Sequence, residues 1–173
     1  MTGGTLGGVL ELRLELDFPA LAAIASGCCE GLRYLHEARP PLLGALSPGA
    51  VLLDSRLSAK ICLSVRPPGE PGEPHVWEPP EVLGGKPPSP EGDCYSFGML
   101  CFELFARQRA FEPLLAHAPL EKVLHAVATS DVRPSFPEGR GVAQPLVDLI
   151  KDCWCGGGRA GTAPEARRCR LGA

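Results

Sequence analysis

The sequence predicts a mainly α-helical domain with one small β-hairpin, built around a buried central helix. Three observations carry that expectation. Apolar residues recur at three- and four-residue steps from Leu21 to Leu35, the spacing of one helix face. Two short β-type runs, Val51–Leu53 and Ala59–Leu63, flank the polar turn Asp54-Ser55-Arg56. The stretch Asp93–Ala106 is apolar on nearly every side, as befits a helix enclosed by its domain.

The remaining segments follow in chain order. Gly3, Gly4, Gly7 and Gly8 fit neither GxGxxG nor GxxxxGK[ST] and follow no strand, so Met1–Gly8 is expected to be a flexible entry segment. Asp17 is a candidate N-cap with Pro19 in the first turn. Leu21, Ile24, Ala25, Cys28, Leu32 and Leu35 then form the apolar face of a helix running to about His36. Arg66–Pro90 is rich in proline and glycine and should be irregular and partly extended. Pro119 opens a helix with Leu120, Val123, Leu124 and Val127 on one face. Leu146, Leu149, Ile150 and Cys153 form a similar stripe, ended by the glycines at 156–158. The expected organisation is one domain over 1–155 and a weakly structured tail over 156–173, with a basic cluster at Arg167, Arg168 and Arg170.

Composition narrows the function classes. The 173 residues suffice for one domain with a sizeable core and not for two. A hydrophobic fraction of 45% against 21% charged favours a folded chain. The net charge of −3, without a basic stripe, argues against nucleic acid and anionic membrane as partners. The apolar run Phe97–Ala106 is too short to span a bilayer, so a soluble, cytoplasmic protein is expected. The eight cysteines include no CxxC, which points to reduced thiols rather than a disulfide framework or a zinc site. His36, His75, His117 and His125 lack ligand spacing and read as ordinary surface or capping residues. Neither a metal nor a cofactor is expected.

Several local sequences, in this order, resemble the C-lobe of protein kinases, nearest to the tyrosine-kinase-like group of receptor-interacting and mixed-lineage type. They are Gly31-Leu32-Arg33-Tyr34-Leu35-His36, then Leu46, Pro48 and Val51-Leu52-Leu53-Asp54, then Ala59-Lys60-Ile61. Pro80-Glu81-Val82-Leu83, Asp93-Cys94-Tyr95-Ser96-Phe97-Gly98 and Cys153-Trp154 complete the series, and Met1–Leu6 is similar to the segment after the hinge between lobes. The resemblance covers residues 1–155. It implies a kinase-like lobe without the N-lobe's Gly-rich loop, strand lysine and helix glutamate.

Active members of that family carry H-R-D-L-x-x-x-N, with Asp as base and Asn on a metal, and a D-F-G whose Asp holds Mg²⁺. Aligned through Leu46, Pro48 and Val51, Leu43, Gly44 and Ala45 stand in the His, Arg and Asp places. Ser47 stands where a Lys is frequent, Ala50 in the Asn place, and Leu63 in the D-F-G Asp place. Ala45 accepts no proton, and neither Ala50 nor Leu63 supplies the oxygen that Mg²⁺ requires. Asp54 is the nearest substitute acid but falls at the far end of the hairpin. The resemblance thus implies a pseudokinase: no enzyme, no catalytic residue, ATP binding unfavoured, and a role as a protein-interaction or regulatory scaffold in signalling. The alternatives are a residually active serine/threonine or tyrosine kinase fragment that needs an N-lobe, and a non-functional truncated product.

Three residues kept where catalytic groups are replaced are expected to be structural. Asp93 would accept hydrogen bonds from backbone N–H groups of the loop at 43–46, and Trp154 would anchor the core with Trp77, Tyr95 and Phe97. Glu81 resembles an acid that pairs with an arginine near the end of the lobe, a place that strict spacing gives to Gly161 and a shortened loop after Trp154 gives to Arg159. A protein partner would cover the face bordered by Met1–Val9, Leu42–Leu46 and Leu63–Val65, unless the chain folds back over it. Pro68-x-x-Pro71 and Pro71-x-x-Pro74 form a weak polyproline motif, and Ser89, between Pro88 and Pro90, is a candidate modification site.

Overall fold

The computed structural model describes residues 4–38, 44, 46–62, 75–139 and 141–154. The chain is mostly helical with a two-stranded antiparallel sheet. Helix α2 (Phe18–Glu37) begins where the sequence places it, and Asp17 Oδ1 accepts from the Ala20 N–H at 3.0 Å. Strands β1 (Val51–Leu53) and β2 (Ala59–Ile61) pair with Val51 opposite Ile61 and Leu53 opposite Ala59. The turn between them is fixed by Asp54 Oδ1, which accepts from the N–H groups of Arg56 and Ser58 at 2.8 and 3.0 Å. A 3-10 turn, Pro48–Ala50, leads into β1.

The glycine-rich entry departs from expectation. Thr5 caps helix α1 (Leu6–Glu11), its Oγ1 accepting from the Gly8 N–H at 3.1 Å. Leu6 is fully buried and Val9 nearly so, and that burial outweighs the cost of two glycines in the helix. The expected exposed strip is therefore corrected in part: Leu6, Val9 and Leu46 belong to the core. Of its other members, 1–3, 42–43, 45 and 63–65 lie outside the described residues, as do the polyproline motif at 68–74 and the tail from 155 onward.

Downstream, the irregular segment expected to reach Pro90 contains a short helix α3 (Pro80–Leu83), started by Pro80 at its first position. The central helix α4 spans Pro90–Ala106, beginning before Asp93 because Ser89 caps it through the Gly92 N–H at 3.0 Å. A short α5 (Glu112–Leu115) precedes α6 (Leu120–Ser130), with Pro119 outside the helix as its cap. In α6, Val123, Leu124 and Val127 are buried whereas Leu120 is exposed. In α7 (Gln144–Trp154) the buried face is Val147, Ile150 and Trp154, with Leu146 and Cys153 packed against the core beside it; of the expected stripe only Leu149 points outward.

The core gathers around α4, whose fully buried side chains include Tyr95, Met99, Leu100, Phe102 and Leu104. Two glycine positions permit its closest contacts. On α2, a Cβ at Gly31 would stand 2.9 Å from Ile61 Cδ1, so β2 lies directly against the helix backbone. On α4, a Cβ at Gly98 would stand 2.7 Å from Cys153 Cβ and 3.0 Å from the Trp154 ring, so α7 seats on a notch that only glycine leaves open.

That notch yields a test. Gly98→Ala forces overpacking at a cost of about 1–3 kcal/mol and lowers the melting temperature. Gly8→Ala, whose nearest neighbour would be Thr5 Oγ1 at an ordinary 3.6 Å, leaves it unchanged or raises it. Thermal melts of the two variants check the contrast.

Candidate functional site

Helix α4 carries three buried polar residues, Asp93, Ser96 and Glu103, in an otherwise apolar cylinder. A buried polar group is tolerated only with partners, and each of the three holds a segment outside regular structure. Asp93 Oδ1 accepts from the Gly44 N–H at 2.7 Å, and Oδ2 lies 2.8 Å from His36 Nε2 at the end of α2. Gly44 takes φ of +78°, a left-handed conformation that glycine adopts freely. Its Cα faces Pro88, where an added Cβ would come within 3.0 Å of Cγ. Burial raises the Asp93 carboxyl above its usual range, opposed by the His36 and Gly44 hydrogen bonds. His36 is therefore corrected from a surface or capping residue to a partner of a buried acid.

Further along α4, Ser96 Oγ donates to the Trp77 carbonyl at 2.8 Å. Glu103 Oε2 accepts from the indole Nε1 of the same tryptophan at 3.0 Å, and its Oε1 accepts from the Ala110 N–H at 2.8 Å. Trp77 is thus pinned at both backbone and ring. Burial pushes the Glu103 carboxyl up, opposed by its bonds to Ala110 and Trp77 and by the Arg109 charge.

Glu103 and Trp77 form part of a cleft of about 470 Å³ between α1, the end of α4 and α5. Its apolar lining includes Val9, Leu10, Leu14, Leu16, Val76 and Leu115. Two exposed ion pairs, Arg13–Glu112 and Arg109–Glu11, each at 3.4 Å, link α1 and the turn after it to the α4–α5 region. Arg107, in the left-handed region at φ +52°, donates to the Leu16 carbonyl. Leu12, Leu14 and Phe18 remain exposed nearby.

The other sequence-selected residues distribute as follows. Ser47 precedes the 3-10 turn without a side-chain cap bond, and Ala50 closes that turn, its carbonyl accepting from the Cys62 N–H at 2.7 Å. Asp54 sits in the solvent-facing hairpin turn, where the N–H groups of Ser58 and Arg56 hold its carboxyl below the usual range. Glu81, in α3, is near enough to Tyr95 for its charge to act on the phenol. Trp154 packs against Phe102 and Phe136. Ala45, Leu63 and Arg159 lie outside the described residues. Cys28 is no nucleophile candidate, because burial pushes its thiol up to about 12. Among the described residues no group of three or more His, Cys, Asp or Glu could hold a metal ion. Nor is any helix among them long and apolar enough to cross a membrane.

An acid on the central helix thus holds Gly44, and the comparison with known proteins places the chain in a family. The family model for protein tyrosine and serine/threonine kinases matches residues 1–160. The chain belongs to that family. The dual specificity protein kinase shkA of Dictyostelium discoideum is 27% identical over 168 residues, covering 89% of this chain and 31% of that protein. The receptor-type guanylate cyclase gcy-14 of Caenorhabditis elegans is 30% identical over 164 residues, covering 87% of this chain and 15% of that protein. The probable serine/threonine-protein kinase drkC of Dictyostelium discoideum is 27% identical over 157 residues, covering 82% and 20% respectively. The chain thus spans less than a third of each of these relatives. The expectation that the chain is no enzyme is corrected here. It rested on side chains at single positions, whereas the family match and the relatives named as protein kinases point toward kinase activity.

Two predictions follow from the α4 contacts. Asp93→Ala strands the Gly44 N–H and the His36 ring at a cost of about 1–3 kcal/mol, and lowers the melting temperature more than Asp54→Ala does; equal effects would show that the buried bonds carry no weight. Glu103 has its carboxyl raised in the folded state, so its contribution to stability is fully present below the ordinary carboxylate range. That contribution is lost as pH rises through the raised value. Melts across the acid-to-neutral range should show wild type losing stability relative to Glu103→Gln as pH increases. A constant difference would contradict the assignment.

Proposed function

We propose that the chain is a regulatory, protein-binding module of the protein-kinase family, corresponding to the large lobe of a cytoplasmic, tyrosine-kinase-like member and covering residues 1–155. It engages a partner polypeptide in the cleft between α1 and the α4–α5 turn. The observation that carries this reading is the cleft itself. It joins apolar walls, a buried carboxylate and a pinned indole to an exposed rim of Leu12, Leu14 and Phe18. A concave apolar site with a few fixed polar groups is the usual form of a binding site, and adjacent exposed apolar residues commonly extend such a surface. The rim arginines and glutamates pair with one another across surface distances where ion pairs are weak. An incoming chain exchanges them at little cost.

Phosphotransfer is the second reading, favoured by the names of shkA and drkC. The same protein tests both. Extended peptides from a library are screened against the chain, and the best binder is titrated against wild type and Leu14→Asp. Because Leu14 is half exposed, the variant keeps its helicity and melting temperature. Its affinity falls at least about tenfold, equivalent to about 1.4 kcal/mol. Unchanged affinity would remove the cleft from the binding surface. For the second reading, incorporation of labelled phosphate from Mg²⁺-ATP into a generic substrate is measured in the wild type and in Asp93→Ala. Activity that falls with the loss of Asp93 supports catalysis organised by its bond to Gly44.

A further inference from the structure

We propose that Ser89 is a phosphoacceptor for a proline-directed serine/threonine kinase. The chain contains two Ser-Pro dipeptides, Ser47-Pro48 and Ser89-Pro90, and the fold treats them differently. Ser47 stands between Leu46 and Pro48, both buried, with the 3-10 turn following at once. Both serines are themselves half-buried and only their flanks differ: beside Ser89, residues 84–88 are exposed on one side, and Pro90 and Glu91 on the other. The Ser89 backbone is extended, with φ −141° and ψ 161°.

Pro87, Pro88 and Pro90 fix φ and remove backbone donors on both sides of the acceptor. The segment is therefore preorganised as an extended strand and loses little freedom on docking. A kinase that reads proline after the acceptor needs, beyond the extended segment, only Pro90 at the first position of α4. The Ser89 Oγ accepts from the Gly92 N–H at 3.0 Å and its carbonyl from the Asp93 N–H at 3.0 Å, and the side-chain bond must open for transfer.

In the transfer, Ser89 Oγ attacks the γ-phosphorus of ATP. The new O–P bond forms as the bond to the β–γ bridging oxygen breaks, ADP leaves with that electron pair, and the hydroxyl proton passes to the modifying kinase's base. The product places a dianion one turn before Asp93, on the loop whose Pro88 packs over Gly44. The modification and the anchored Gly44 therefore meet at one corner of the fold.

The folded chain and synthetic peptides covering 44–51 and 85–92 are each incubated with a recombinant proline-directed kinase and Mg²⁺-ATP, and phosphorylated residues are mapped by mass spectrometry. Both peptides are expected to be modified, whereas the folded chain is modified at Ser89 and not at Ser47. Ser89→Asn keeps a capping side chain and abolishes incorporation; Pro90→Ala keeps the hydroxyl and lowers it at least tenfold. Failure to modify either Ser89 in the folded chain or the 85–92 peptide overturns the proposal, and so does equal modification of Ser47 in the folded chain.

Discussion

The fold depends on how the enclosed helix α4 disposes of its polar groups. A helix surrounded by apolar neighbours has no water to solvate Asp93, Ser96 or Glu103, so each must find a partner within the protein. The partners are the Gly44 N–H, the Trp77 carbonyl and indole, and the Ala110 N–H. Each belongs to a stretch with no helix or strand ladder of its own to satisfy its backbone. One requirement thus meets another: the helix needs donors and acceptors, and the loops need somewhere to put theirs. The result is a rod that fixes three loops along its length.

Much of this architecture was legible in the sequence because it rests on periodicity and capping. Asp17 with Pro19, the polar turn at Asp54 and the apolar run after Asp93 each announce their element through local chemistry. What escaped was decided by tertiary contact. Gly7 and Gly8 argue against a helix until Leu6 and Val9 are seen to be buried, and the α7 seam gains Val147 and Trp154 while Leu149 turns outward. Of the site, Asp93 was visible through family resemblance. Glu103 was visible in principle, as a lone acid inside the apolar run Phe97–Ala106, and such a residue demands a donor. His36 gave no such sign, because its partner lies 57 residues away.

The bond from Gly44 to Asp93 also explains how family membership and unusual local residues coexist. The donor is the Gly44 main chain, so the identity of a side chain plays no part in it. A segment can be held in a family's geometry while its side chains vary, provided that glycine or another residue tolerates φ of +78° at position 44. The match over residues 1–160 registers the scaffold rather than the side chains at single positions.

The seat of α7 on the Gly98 notch also bears on the order of synthesis. Helix α4 is translated before α7, yet α7 covers the side of α4 where Gly98 leaves the backbone bare. A nascent chain that has emerged only through α6 holds a helix apolar on nearly every side, with one flank open to the solvent. Such flanks attract chaperones and like chains until their native cover arrives. The ribosome thus delivers the most sticky element of this protein ahead of the piece that shields it, and commitment to the native state waits on residues near 154.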